Sequence, residues 1–229
     1  MLGVFVNVAT VLLGSAVGLL FKKGIPEKIS QAVMIGLGLC TLYIGVSGSL
    51  CGENPLIIIA AVVLGAIVGT LLNIDGAINT MAERVEKKFQ KEGKGGSLAQ
   101  GLVTATLLFC VGSMTVTGSI QAGITGDNSV LLTKATLDLV SSMMLSASLG
   151  IGVMLAAGSV LVIQGGLVLL SGLVAPFLSA GAVNEMTCVG SLLIIMIGTN
   201  LMGITKFKVA DYLPAILFAP ILYNILQLF

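Results

Sequence analysis

The sequence predicts an all-α integral membrane protein with about eight transmembrane helices in a single domain. Composition is the first reason. Of 229 residues, 56% are hydrophobic and 9% charged, and mean hydropathy is +1.11. A soluble domain is about 45–50% apolar and about 25% charged. Spacing is the second reason, because the chain divides into eight apolar stretches near the ~20 residues that a bilayer-crossing helix needs. The third is where the few charges fall between those stretches. Together these exclude a soluble enzyme, a nucleic-acid binder, a disordered chain and a secreted disulfide scaffold. Eleven Lys and Arg against ten Asp and Glu leave a net charge of +1, so no global field attracts an acidic partner.

The expected spans are 1–21, 29–50, 55–74, 98–120, 129–148, 154–175, 186–205 and 209–228. The first is read as an uncleaved anchor, because no positive charge precedes it and Lys22-Lys23 follow it. Placing the N-terminus outside and alternating the spans puts Lys22, Lys23, Lys28, Arg84, Lys87, Lys88, Lys91, Lys94, Lys206 and Lys208 in the cytoplasm. That agrees with the excess of Lys and Arg in cytoplasmic loops. The outer loops then carry Glu53, Asp127 and Glu185. The eleventh basic residue, Lys134, falls within a span. The turn between the fifth and sixth spans is expected near Gly150 and Gly152, where no charge marks it.

Spans one and three carry Gly14/Gly18 and Gly65/Gly69 at GxxxG spacing, a pattern of close helix packing. Beyond span three, Ile74, Ile78, Met81, Val85 and Phe89 recur at steps of three and four. Glu83, Arg84, Glu86, Lys87, Lys88 and Lys91 lie between them. This predicts a cytoplasmic amphipathic helix against the inner leaflet, followed by a hinge at Gly93, Gly95 and Gly96. A docking site for a partner is the sharper alternative.

Span four contains Gly112-Ser113-Met114-Thr115-Val116-Thr117-Gly118-Ser119. Glycine weakens a helix, and Ser and Thr compete for backbone groups. Two readings stand side by side: packing through small residues, or a broken helix whose carbonyls and hydroxyls coordinate a solute. Gln121 and Asp127 follow at the outer mouth. Span five places Lys134 and Asp138 four apart, on one helix face. An ionisable residue at mid-membrane costs about 2.5–3.5 kcal/mol on insertion scales. Lys134 is near enough to the outer end to snorkel; Asp138 sits halfway down and is the candidate functional carboxylate. Asn7, Gln164 and Asn200 are mid-span amides that would line the same cavity. Pro214 and Pro220 predict a kink in span eight, with Asp211 at the inner interface.

Cys40, Cys51, Cys110 and Cys188 form no CxxC pair and read as small hydrophobes. Histidine is absent, which disfavours a transition-metal site and a His-based nucleophile. No cofactor, metal or enzymatic activity is expected; only a Ser-Lys arrangement stays open.

Spans one to three and six to eight have matched spacing. A shift of 154 superposes Gly18 on Gly172, Leu19 on Leu173 and Gly36 on Gly190. Span six lies five after span one, so the second triplet is upside down relative to the first, as in many secondary transporters. The expected organisation is a first repeat over 1–75, a cytoplasmic segment over 76–96, a central helix pair over 97–150 and a second repeat over 151–229.

The runs Phe109-Cys110-Val111-Gly112-Ser113-Met114-Thr115, Gly118-Ser119-Ile120-Gln121, Gly126-Asp127, Leu132-Thr133-Lys134 and Leu137-Asp138 resemble the YqgA/YdfK family. So do Leu149-Gly150-Ile151-Gly152-Val153, Gln164-Gly165, Glu185-Met186 and Leu213-Pro214-Ala215. This is a group of bacterial inner-membrane proteins of unknown function. The resemblance implies a polytopic protein of the bacterial cytoplasmic membrane and supplies no substrate. The family often has proline where Ser113 stands and an acidic residue where Ala122 stands, which weakens an outer-loop cation site.

The leading expectation is a transporter of a small solute, a monovalent cation or a proton. Asp138 would couple, with Lys134 as its partner or substitute cation. Thr115, Thr117 and Ser119 would supply hydroxyls; Gln121, Gln164 and Asn200 would orient the solute, and Asp127 is a further binding candidate at the outer mouth. The expected partners are the lipid bilayer and a second copy of the chain. A passive channel and a non-transporting scaffold or sensor are the alternatives.

Overall fold

The computed structural model describes residues 1–22, 27–80 and 98–227. Among them the chain is helical, without a strand. Helices α1 (Leu2–Lys22), α2 (Glu27–Ser49) and α3 (Pro55–Leu71) come first, followed by α4, described over Ile74–Thr80. Next are α5 (Leu98–Cys110), α6 (Ser113–Ile124), α7 (Ser129–Leu149) and α8 (Gly152–Leu169), with the single turn α9 (Ser171–Val174). Helices α10 (Ala180–Leu201) and α11 (Pro214–Leu226) close the chain. Six helical stretches are long and apolar enough to cross a membrane, or eight if the bent pairs α3–α4 and α5–α6 each count as one.

Local chemistry explains several boundaries. Asn54 caps α3, its side chain accepting from the Leu56 amide at 3.0 Å, with Pro55 at the first position. Ser179 accepts from the Ala182 amide and starts α10. Gly150, with φ +83°, ends α7 where the turn was expected.

The directions of the packed helices support eight alternating spans. Helices α1 and α7 run parallel. A Cβ on Gly14 would collide with Leu139 and Ser142, and one on Gly18 with Met143 and Ser146. Helices α5 and α8 are also parallel, with Gly101 against Gly152 and Thr106 bonded to Ser159 at 3.0 Å. Helices α2 and α10 are antiparallel, Gly45 meeting Ile195 and Gly38 meeting Met202. So are α3 and α11, with Gly65 on Ala215 and Gly69 on Asp211. If α1 to α3 each cross, a parallel α1 and α7 requires an odd number of crossings between α3 and α7. Counting the α5–α6 pair as one bent span satisfies this parity. Both GxxxG stripes seat the chain's own helices.

Two expectations change, and of the two readings of span four the broken helix is the one found. The seventh span is Ala180–Leu201 and not 186–205, which moves Glu185 from a loop into the helix. Pro214 opens α11 instead of kinking it, because its missing N–H is harmless at the first helical position. Span four is two helices that meet at 58°. The expected amphipathic helix is described only as far as Thr80, where α4 makes 50° with α3. Its basic face and the glycine hinge lie outside the described residues. Helix α10 is the central column: 61% of its span is buried, against 22% for α2. The outer faces of α2 and α3 present Leu39, Tyr43, Leu56 and Ile59 outward, as lipid contact requires.

Candidate functional site

Helices α1, α7 and α8 bring four polar side chains together. The inward stripe of α7 runs Leu131, Lys134, Ala135, Asp138, Ser142 and Leu145, so the i,i+4 spacing turns both charges into the bundle. Lys134 Nζ donates to Asp138 Oδ2 in a buried salt bridge. Asn7 of α1 donates through Nδ2 to the same oxygen at 3.0 Å and to Gln164 Oε1 of α8 at 3.2 Å. Lys134 and Asp138 are each 5% exposed, and Asn7 and Gln164 are fully buried. Gln164 Nε2 has no partner among the described residues. Lys134 therefore does not snorkel. Asp138 draws it inward, and its ammonium lies 5.9 Å from the centroid of the Phe109 ring.

A cavity of about 350 Å³ adjoins this pair. Ile44 and Gly48 of α2, Leu137 of α7 and Ile194 of α10 form apolar walls. Lys134, Asp138, Thr187 and Ser191 add the polar groups, and Gly112 and Met114 mark the α5–α6 break. The break forms because Val111 wedges into the notch left by Gly190 of α10. Gly112 is extended there, and no side chain caps α6. Thr115 donates from Oγ1 to Phe109 O across the break at 2.9 Å. The disruption expected over residues 112–119 is thus confined to its first residue. Ser119 is buried with no partner for its hydroxyl among the described residues, and Thr117 is exposed.

Three other candidates lie elsewhere. Gln121 donates to Asp127 Oδ2 at 2.8 Å in the exposed turn before α7. Asp127 Oδ1 accepts from the Ser129 amide at 2.9 Å, which holds that carboxyl below the usual carboxylate range. Asn200 folds onto the loop after α10, bonding both Phe207 N and Phe207 O. It lines a separate pocket of about 250 Å³ with Asp75, Gln100, Lys206 and Lys208. Helix ends and loops satisfy these groups, so they do not join the cavity.

Two buried acids escape sequence reasoning. Glu185 Oε1 accepts from the Glu53 and Asn54 amides at the start of α3, both at 2.8 Å, and Oε2 has no partner among the described residues. Asp211 Oδ1 accepts from the Asp75 amide in the first turn of α4 at 2.8 Å. Each carboxylate meets the positive end of a helix. For Glu185 a signal exists, since Ala182, Glu185 and Val189 share one buried stripe at steps of three and four.

The family model described as "Protein of unknown function (DUF554)" matches residues 2–224. The chain belongs to this family. It is 30% identical to the "Uncharacterized membrane protein YdfK" of Bacillus subtilis (strain 168) over 233 residues, covering 100% of this chain and 98% of that protein. It is 32% identical to the "Uncharacterized protein YqgA" of Escherichia coli (strain K12) over 222 residues, covering 95% and 94%. No solved structure matches significantly.

Proposed function

We propose that the protein moves a small solute or ion across the bacterial cytoplasmic membrane, using the cavity beside Lys134 and Asp138 that α2, α7, α10 and the α5–α6 break enclose. One observation carries this reading: a buried ion pair, tied to Asn7 of α1 and through it to Gln164 of α8, stands in the wall of a ligand-sized cavity beside a broken helix. Ligand sites are apolar clefts of about 300–1,000 Å³ with a few placed polar groups. A charge pair that served only packing would not need a cavity against it. Asp138 acts as the coupling carboxylate, because a proton or cation on it loosens its hold on Lys134.

The N-terminus lies outside and the first and last helix triplets form inverted repeats. Contacts of α1 with α8, α2 with α10 and α3 with α11 support the repeat, since each helix touches its counterpart. A second copy of the chain would pair through faces other than the filled glycine stripes. Solute uptake into proteoliposomes under a proton or a sodium gradient tests the reading. Asp138→Asn should abolish gradient-driven uptake, and the neutral double variant Lys134→Gln/Asp138→Asn, which leaves no lone buried charge, should do so in a folded protein. Absence of uptake of every tested solute by the folded wild type would sink it.

A further inference from the structure

The cavity beside Lys134 carries a preference for one kind of ligand. Its walls are largely hydrocarbon, from Ile44, Leu137 and Ile194. Its polar end holds two positive features against one negative. Lys134 has three N–H donors, and Asp138 is the one hydrogen-bond acceptor it reaches among the described residues. Gly112 and Met114 set the first turn of the 12-residue α6 in the same wall, and the cap residue Gly112 brings no side chain to its amides. A helix N-terminus presents unpaired amides and partial positive charge. The one negative group, Asp138, already accepts from both Lys134 and Asn7.

We infer that this cavity binds a small monocarboxylate with an apolar body, its carboxylate on Lys134 and the amide end of α6. The inference names the substrate class of the transport site and rests on that reading for what binding accomplishes. The charge balance follows from low polarity. A carboxylate that entered alone would leave the site with one uncompensated negative charge, which is costly away from water. Uptake of one proton by Asp138 restores neutrality: the ligand replaces Asp138 on Lys134, and Asn7 still holds the protonated acid. One anion and one proton enter together.

Equilibrium dialysis of the full chain in neutral-lipid nanodiscs tests this with probes of matched size: benzoate, benzylamine and benzyl alcohol, plus acetate. Benzoate should bind saturably, one per chain. Acetate should bind about ten- to hundredfold more weakly, because it lacks the apolar body. Asp138→Asn should keep or tighten benzoate binding by removing the internal competitor. Lys134→Gln/Asp138→Asn, a neutral pair chosen so that no lone charge unfolds the protein, should lose about ten- to hundredfold. Equal binding of benzoate and benzyl alcohol would overturn the inference, as would preference for benzylamine or unchanged benzoate affinity in the double variant. Benzoate binding without uptake into proteoliposomes would retain the anion site and refute transport. Asp138-dependent uptake of another solute without benzoate binding would refute only the anion site.

Discussion

Lys134→Gln should destabilise the protein far more than replacing both members of the pair. In the wild type the Asp138 carboxylate is 5% exposed and is held by Lys134 and Asn7. Glutamine can donate a neutral hydrogen bond but leaves a full negative charge buried. Breaking a buried pair by removing one partner costs about 3–5 kcal/mol. The double variant Lys134→Gln/Asp138→Asn leaves no charge and should lie within about 1.5 kcal/mol of wild type, the scale of one neutral hydrogen bond. With each single variant costing about 3 kcal/mol or more, the coupling energy is then at least about 4.5 kcal/mol. Unfolding in mixed detergent micelles, followed by helical circular dichroism for wild type, both single variants and the double, measures it. Equal stability of Lys134→Gln and the double variant would refute the reasoning, since Asp138 would then have other compensation.

Changes at four further sites probe the frame. Gly69→Ala places a Cβ against the backbone of Asp211 and should cost about 1–3 kcal/mol in the same unfolding assay. Gly158→Ala meets nothing within 4 Å and should stabilise by about 0.5–1 kcal/mol. Glu185→Ala strands the Glu53 and Asn54 amides, at about 1–3 kcal/mol each. Hydrogen exchange should quicken at the start of α3, and Glu185→Gln, which keeps an acceptor, should exchange more slowly than Glu185→Ala. Thr115→Val removes the bond to Phe109 O across the helix break and should lower stability by about 1 kcal/mol.

Periodicity and hydropathy disclose much of the frame for a physical reason. A bilayer requires every span to be long, apolar and internally bonded. The eight stretches, the turn at Gly150 and the glycine stripes of α1 and α3 follow from that demand. The ion pair is legible because charges four apart in an apolar helix must share a face. What hydropathy hides is how a polar group is satisfied. Glu185 looks like a loop residue because a carboxylate should end a span, yet two backbone amides at the start of α3 meet it inside. Asn200 looks like a lining amide, yet it closes a loop at a helix end. The Ser and Thr residues of α6 look like helix breakers, whereas Thr115 returns its hydroxyl to a carbonyl of its own chain segment.

The buried acids also restrict how this bundle can move. Asp138, Glu185 and Asp211 all lie after residue 97, and each accepts from a donor before residue 80: Asn7, the Glu53 and Asn54 amides, and the Asp75 amide. Separating the early helices from the late ones would break all four bonds at once. Hydrogen bonds to charged groups contribute about 1.5–3 kcal/mol each, so that motion opposes several times the energy of an ordinary conformational gap. Helix α6 carries no charged residue, and it joins α5 through the bend at Gly112. A Cβ added at Gly112 would meet nothing within 4 Å. Helix α6 is nevertheless tied to its surroundings, because Thr115 bonds Phe109 O across the bend and Gly118 and Gly123 pack closely on Val130 and Ser171.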